Sequence, residues 1–245
     1  ELDYTPNRLA VDLIRKETRS IGVIMPYNNN QAFDQLLHGV LNRSVERDYS
    51  VMVLPTKYDP VKELSCLNML KNKQLDGIII ASRSNTWDAI MPYTKYGTVI
   101  ACEFTDHPEI GCAYMDRYGS FVETFQLLKD KGHLRVAFTT ARGEESNSTQ
   151  LTIKAYQQIF GDLPQEYHIR DCCSIDDGGR AAQQLLHLDD RPTAVYANGD
   201  EVATGIYQYA RSIQLGVPED LAIIGQENQP VGIGLRLSTV DHQLV

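Results

Sequence analysis

The stretch Gly77-Ile78-Ile79-Ile80-Ala81 decides the fold class. A strand with one face in water alternates apolar and polar residues. This one is apolar at every position, as a strand buried on both faces inside a parallel sheet must be. Working outward, Leu64, Leu67, Met69 and Leu70 form the core stripe of a helix just before it, and another apolar run at 98–102 follows it. The same rhythm fills the chain. Strands are expected at 20–25, 50–54, 77–81, 98–102, 111–115, 134–138, 193–197 and 221–225. Helices are expected near 31–48, 61–73, 86–96, 117–131, 148–160, 177–188 and 200–215. Strands alternating with helices give an α/β protein built on parallel sheets with crossover helices.

With 245 residues the chain can bury either one large sheet or two lobes, and two lobes fit better. Lys131-Gly132-His133 separates a helix from the next strand, and the apolar series from Leu134 to Gly225 is long enough for a lobe of its own. The closing stretch Pro230-Val231-Gly232-Ile233-Gly234-Leu235 reads as irregular, a segment crossing back towards the first lobe.

A net charge of −9 makes the body of the chain a poor partner for nucleic acid, since phosphate contact needs a basic surface. No apolar run approaches the roughly 20 residues of a membrane helix. The five cysteines, Cys66, Cys102, Cys112, Cys172 and Cys173, show no C-x-x-C spacing, which suits reduced thiols and a cytoplasmic protein. There is no G-x-S-x-G elbow, no phosphate-binding P-loop and no H-E-x-x-H. The acidic neighbours Glu144-Glu145 and Asp176-Asp177 fall in expected loops or caps, where two carboxylates seldom converge on one substrate atom. No catalytic residue, metal site or cofactor is expected.

Several segments, in order, carry a resemblance. Tyr4, Pro6, Asn7, Ala10 and Leu13 fit Y-x-P-N-x-x-A-x-x-L; Leu75-Asp76-Gly77-Ile78-Ile79 fits V-D-G-I-I. Lys131 to Ala137 fits G-H-R-R-I-A, and Pro192-Thr193-Ala194-Val195 with Asp200 to Gly205 fits P-T-A-I…N-D-x-M-A-x-G. Val217-Pro218-Glu219-Asp220-Leu221-Ala222-Ile223-Ile224-Gly225 fits V-P-E-D-I-S-V-V-G, and Leu237-Ser238-Thr239-Val240 fits L-T-T-V. In these segments the chain resembles the lactose-repressor/galactose-repressor family of transcription regulators. The resemblance implies two Rossmann-like lobes with parallel sheets in a type I periplasmic-binding-protein-like architecture. It divides the chain into a hinge at 1–18, lobes at 19–132 and 133–237, and a crossover at 238–245, with a helix-turn-helix headpiece beyond the hinge.

What the resemblance implies for function is a repressor whose core binds a small effector, a sugar or sugar phosphate, and couples lobe closure to operator affinity. A homodimer is implied, because half-site reading needs two headpieces. A phosphorylated carrier protein is an alternative corepressor. In the intact protein Asn7, Arg8, Ala10 and Leu13 would meet operator DNA, Leu13 as a minor-groove wedge. Effector candidates lie where ligands of parallel sheets bind, beyond the carboxyl ends of the strands. They are Tyr27, Phe33, Asp116, Asn147, Ser148, Thr152, Asp200 and Glu227. Each has a plainer reading as a helix cap or loop residue. Thr152 stands where the family usually has an effector-gripping arginine, and a hydroxyl cannot replace that bidentate donor. The competing reading is an extracytoplasmic sugar-binding protein of a transporter, which shares the fold; the hinge segment and free cysteines argue against it.

Overall fold

The computed structural model describes residues 17–26, 31–144 and 146–242. The hinge candidates Asn7, Arg8, Ala10 and Leu13, and Tyr27, lie outside the described residues. The chain divides into two compact units, the first ending at Met115 and the second beginning at Asp116.

In the first unit, strands β1 (Ser20–Met25), β2 (Ser50–Pro55), β3 (Gly77–Ile80), β4 (Thr98–Ala101) and β5 (Gly111–Cys112) alternate with helices α1 (Gln31–Glu46), α2 (Pro60–Lys71) and the single turn α3 (Trp87–Ile90). The sheet order is β2-β1-β3-β4-β5, every pair parallel. Ile78 and Ile80 of β3 are buried with Ile24, Leu67, Leu70, Leu75 and Val99, so the apolar run that fixed the class forms the centre of this core. Helix α2 starts where Asp59 accepts hydrogen bonds from the Val61 and Lys62 amides, 2.9 and 3.3 Å away, with Pro60 as its first residue. Proline needs no donor there and its φ suits a first turn.

The second unit contains α4 (Arg117–Asp130), β6 (Val136–Thr139), α5 (Asn147–Phe160), β7 (His168–Ile169), α6 (Ile175–Leu186), β8 (Ala194–Tyr196), α7 (Asp200–Ser212), β9 (Ala222–Gln226), α8 (Pro230–Leu235) and β10 (Ser238–Val240). Its sheet, β10-β9-β8-β6-β7, is also parallel throughout. On one face an aromatic cluster centres on Phe125 of α4, whose ring lies 5.8 Å from Phe138 and 5.4 Å from both Tyr156 and Tyr196, all nearly edge-to-face. Offset and edge-on pairs add to the burial gain of each ring. On the other face α6 and α7 pack over Val195 and Ile223.

Two boundaries differ from the sequence expectation. The units part at 115/116 rather than 132/133, because Phe121, Phe125 and Leu128 of α4 bury into the second core. Residues 230–235 form a helix rather than an irregular stretch, and 238–240 extend the second sheet as β10, paired with β9.

Helices α6 and α7 approach so closely that side chains are excluded from their crossing. A Cβ on Gly205 would stand 1.9 Å from the Ile175 carbonyl oxygen, and one on Gly178 2.1 Å from that of Val202. Backbone cannot yield as a flexible side chain does. Gly205→Ala is therefore expected to destabilise the protein by about 2 kcal/mol or more despite alanine's better helix propensity. Chemical denaturation should show a lower midpoint for this variant, and an unchanged or higher one for Gly179→Ala, where a Cβ meets nothing within 4 Å.

Candidate functional site

Helices of a parallel α/β layer run against the strands, so their N-termini share one rim with the strands' carboxyl ends. In the first unit the ladder continues one residue past each of three strands. The amides of Ala81, Cys102 and Ala113 donate to Ile24, Ile80 and Ala101 at 2.8, 2.9 and 2.9 Å. Ser82, Glu103 and Tyr114, each next in sequence, therefore stand in a row where the sheet runs out. Arg83 places its guanidinium 4.6 Å from the Trp87 ring and its Nε 3.3 Å from Glu103 Oε1. Phe104 and Tyr114 meet edge-on with centroids 5.2 Å apart, yet remain 62% and 52% exposed. Phe33 lies on the first turn of α1, half-buried.

In the second unit Thr139 ends β6 and donates to Asn198 Oδ1 at 2.5 Å, while Asn198 Nδ2 donates to the Cys172 carbonyl at 2.9 Å. Both side chains are thereby held in place. Beyond β9 the chain turns through two left-handed residues, Glu227 at φ 83° and Asn228 at φ 46°. Such a conformation is uncommon for residues with a Cβ and persists only where the surroundings hold it. Here the Glu227 amide donates to Val240 O at 2.8 Å, and the Asn228 amide to Thr239 Oγ1 at 3.2 Å. Burial pushes the Glu227 carboxyl up to about 7, aided by the nearby charges of Asp200 and Glu201; Arg117 and a 2.8 Å hydrogen bond from Gln229 Nε2 pull the other way.

The structure brings Asp116, Asn147, Ser148 and Glu227 to this second rim. Asp116 is exposed and caps α4, accepting from the Gly119 amide at 2.9 Å; Asn147 and Ser148 open α5. Two candidates are placed otherwise. Thr152 is buried one turn into α5, its hydroxyl donating back to the Ser148 carbonyl at 2.9 Å, so it offers no donor in place of the absent arginine. Asp200 has no exposed surface, and its carboxylate accepts from the Gln229 amide at 2.6 Å and from Thr239 Oγ1 at 2.7 Å. Its oxygens hold the chain on either side of α8, a structural role. Burial raises the Asp200 carboxyl above its ordinary range, against those hydrogen bonds.

Arg83, Glu103, Phe104, Tyr114 and Arg117 were not singled out as side chains from sequence. The rim rule selects the ends of strands, but which side chains stay exposed there depends on packing. Burial pushes the Cys102 thiol up to about 11 and the Cys172 thiol up to about 12, which disfavours the reactive thiolate at these two positions.

Residues 18–224 match the family of periplasmic binding proteins and the sugar binding domain of LacI family. The chain belongs to this family. It is 40% identical over 245 residues to catabolite control protein B of Bacillus subtilis, covering all of the chain and 78% of that protein. It is 34% identical over 233 residues to the NTD biosynthesis operon regulator of the same organism, covering 94% of the chain and 71% of the relative. A LacI family transcriptional regulator from Lactobacillus casei, solved with bound glucose, superimposes with a TM-score of 0.85 at 26% identity, covering 92% of this chain and 87% of that one. These two parallel-sheet units are the core of a LacI-type transcription regulator.

The Glu227 carboxyl generates a test of the second rim. Its folded value of about 7 lies above the ordinary 4.5, so the folded state holds its proton more tightly than the unfolded state and stability falls as pH rises between them. Glu227→Gln removes that dependence while keeping an acceptor for Gln229. The variant is expected to exceed the parent at pH 8 by at most about 3 kcal/mol, with the gap closing as pH falls from about 7 to the ordinary value. Urea melts across this range read the sign directly.

Proposed function

We propose that this chain is the effector-binding core of a cytoplasmic repressor, that its effector is a sugar or sugar phosphate, and that it performs no catalytic step. The carrying observation is the first unit's rim, where two exposed aromatic rings stand beside a guanidinium and a carboxylate. Aromatic faces take the apolar face of a pyranose, and adjacent donors and acceptors satisfy its hydroxyls. The Lactobacillus casei regulator with bound glucose supports the same ligand class. Effector binding alters operator affinity to the extent that the ligand binds two conformations of the regulator differently.

The working form is a homodimer. Helix α1 and the edge strand β2 leave Leu41, Val45 and Met52 exposed at 40, 75 and 44%, apolar area that a second copy would cover. A charge placed there cannot be desolvated cheaply. Val45→Asp is expected to shift the protein from dimer to monomer in sedimentation velocity without lowering its helix content.

The effector reading is tested by thermal shift against glucose, sucrose, ribose and glucose 6-phosphate, followed by calorimetry. A sugar at about 100 times its Kd should stabilise the fold by about 2.7 kcal/mol. Tyr114→Ala should weaken that sugar about tenfold, the upper end of what one stacking partner contributes. A folded protein that none of the four stabilises would overturn the sugar assignment.

A further inference from the structure

Glu63 is an acidic side chain among buried leucines. It lies on the buried stripe of α2 with Leu67 and Leu70, and none of its surface is exposed. A charge taken out of water is tolerated only when donors surround it. Three do so, all from the turn after β3: the Ser84 amide at 2.6 Å, the Asn85 amide at 2.9 Å and Asn85 Nδ2 at 2.8 Å. Asn85 Nδ2 also reaches the Pro60 carbonyl at 2.9 Å, tying the turn to the first residue of the helix.

The turn so fixed carries Arg83. Its Nη1 donates to the Asn85 carbonyl at 2.8 Å, its guanidinium lies over Trp87, and its Nε faces Glu103. One buried carboxylate thus fixes the amide and side chain of Asn85, the residue whose carbonyl holds the guanidinium's far end, while the indole and Glu103 define its other sides. We infer that Glu63 is a positioning residue: it sets the Ser84–Asn85 turn, which clamps Arg83 at the rim as a donor for the effector, beside the Glu103 acceptor. The inference rests on the effector reading for what Arg83 does, but not for how Arg83 is held.

Trp87 is the sole tryptophan of the chain, so its emission reports on the group stacked against it. Glutamine at position 63 would turn an amide NH2 towards donors that need an acceptor. Glu63→Gln is therefore expected to shift Trp87 emission and raise its acrylamide quenching in the same direction as Arg83→Met, with circular dichroism unchanged. The double variant should match Arg83→Met alone. A Glu63→Gln protein with parental emission and quenching, or a double variant with summed effects, overturns the inference. Should Glu63→Gln fail to fold, Asn85→Ala removes one donor from outside the helix. It should shift Trp87 in the same direction by less, and a parental spectrum for it would count against the inference equally.

Glucose calorimetry adds the functional arm. Each single variant should weaken glucose roughly tenfold, and the double variant no further, as expected of coupled residues. Loss confined to Arg83→Met, with Glu63→Gln binding like the parent, overturns the positioning role. Should the parent bind no glucose, the effector reading is what fails, and the fluorescence comparison decides the positioning role alone.

Discussion

A strand buried on both faces leaves its side chains no access to water except where the strand stops. That constraint organises this protein. It obliges helices to cover each sheet on both sides, obliges those helices to run against the strands, and so gathers strand carboxyl ends and helix N-termini along one rim per unit. Ser82, Glu103 and Tyr114 mark the first of these rims, each the residue after a ladder bond that outlasts its strand. The polar turns that make up the rims are loops by length but not by restraint. Buried acids underneath fasten them, Glu63 in the first unit by the turn at Ser84–Asn85 and Asp200 in the second by the Gln229 amide and the Thr239 hydroxyl. The two units reach a similar solution with unrelated residues: a helix contributes an acid, and neighbouring segments contribute backbone and side-chain donors.

The fold was legible because periodicity is a local property. An all-apolar run such as 77–81 announces its environment, and the strands and helices of both units follow the expected order. What escaped were elements too short or too polar to announce themselves. The two-residue β7 pairs only through Phe138 and Thr139, and β10 is held by pairing with β9 rather than by any apolar pattern. The unit boundary falls before α4 rather than after it for a related reason. Helix α4 is amphipathic in either lobe, and only the aromatic partners Phe138, Tyr156 and Tyr196, distant in sequence, decide where its buried face goes.

The candidate site was legible as segments and illegible as side chains. Topology fixes which loops reach the rim, but the direction of each side chain depends on neighbours that only folding assembles. Thr152 and Asp200 illustrate the limit: both fall at the right register, and both turn their oxygens inward. Arg83 illustrates the converse, since nothing in Ser82-Arg83-Ser84 indicates that Trp87 and Glu103 will enclose its guanidinium. The family relation supplies the broad regulatory role, while these packing decisions belong to this chain.

Asp200 also constrains how this region can drift in sequence. A Cβ at Gly225 would stand 2.0 Å from its Oδ1, and one at Gly232 2.7 Å from its Oδ2. The acid and the two glycines therefore form a lock whose parts cannot be exchanged singly. Either glycine enlarged first collides with the carboxylate, and the carboxylate removed first leaves the buried Gln229 amide without its acceptor. Only a concerted change of several positions opens another route. The order in which substitutions arrive, and not only their identity, thus limits which descendants of this sequence can fold.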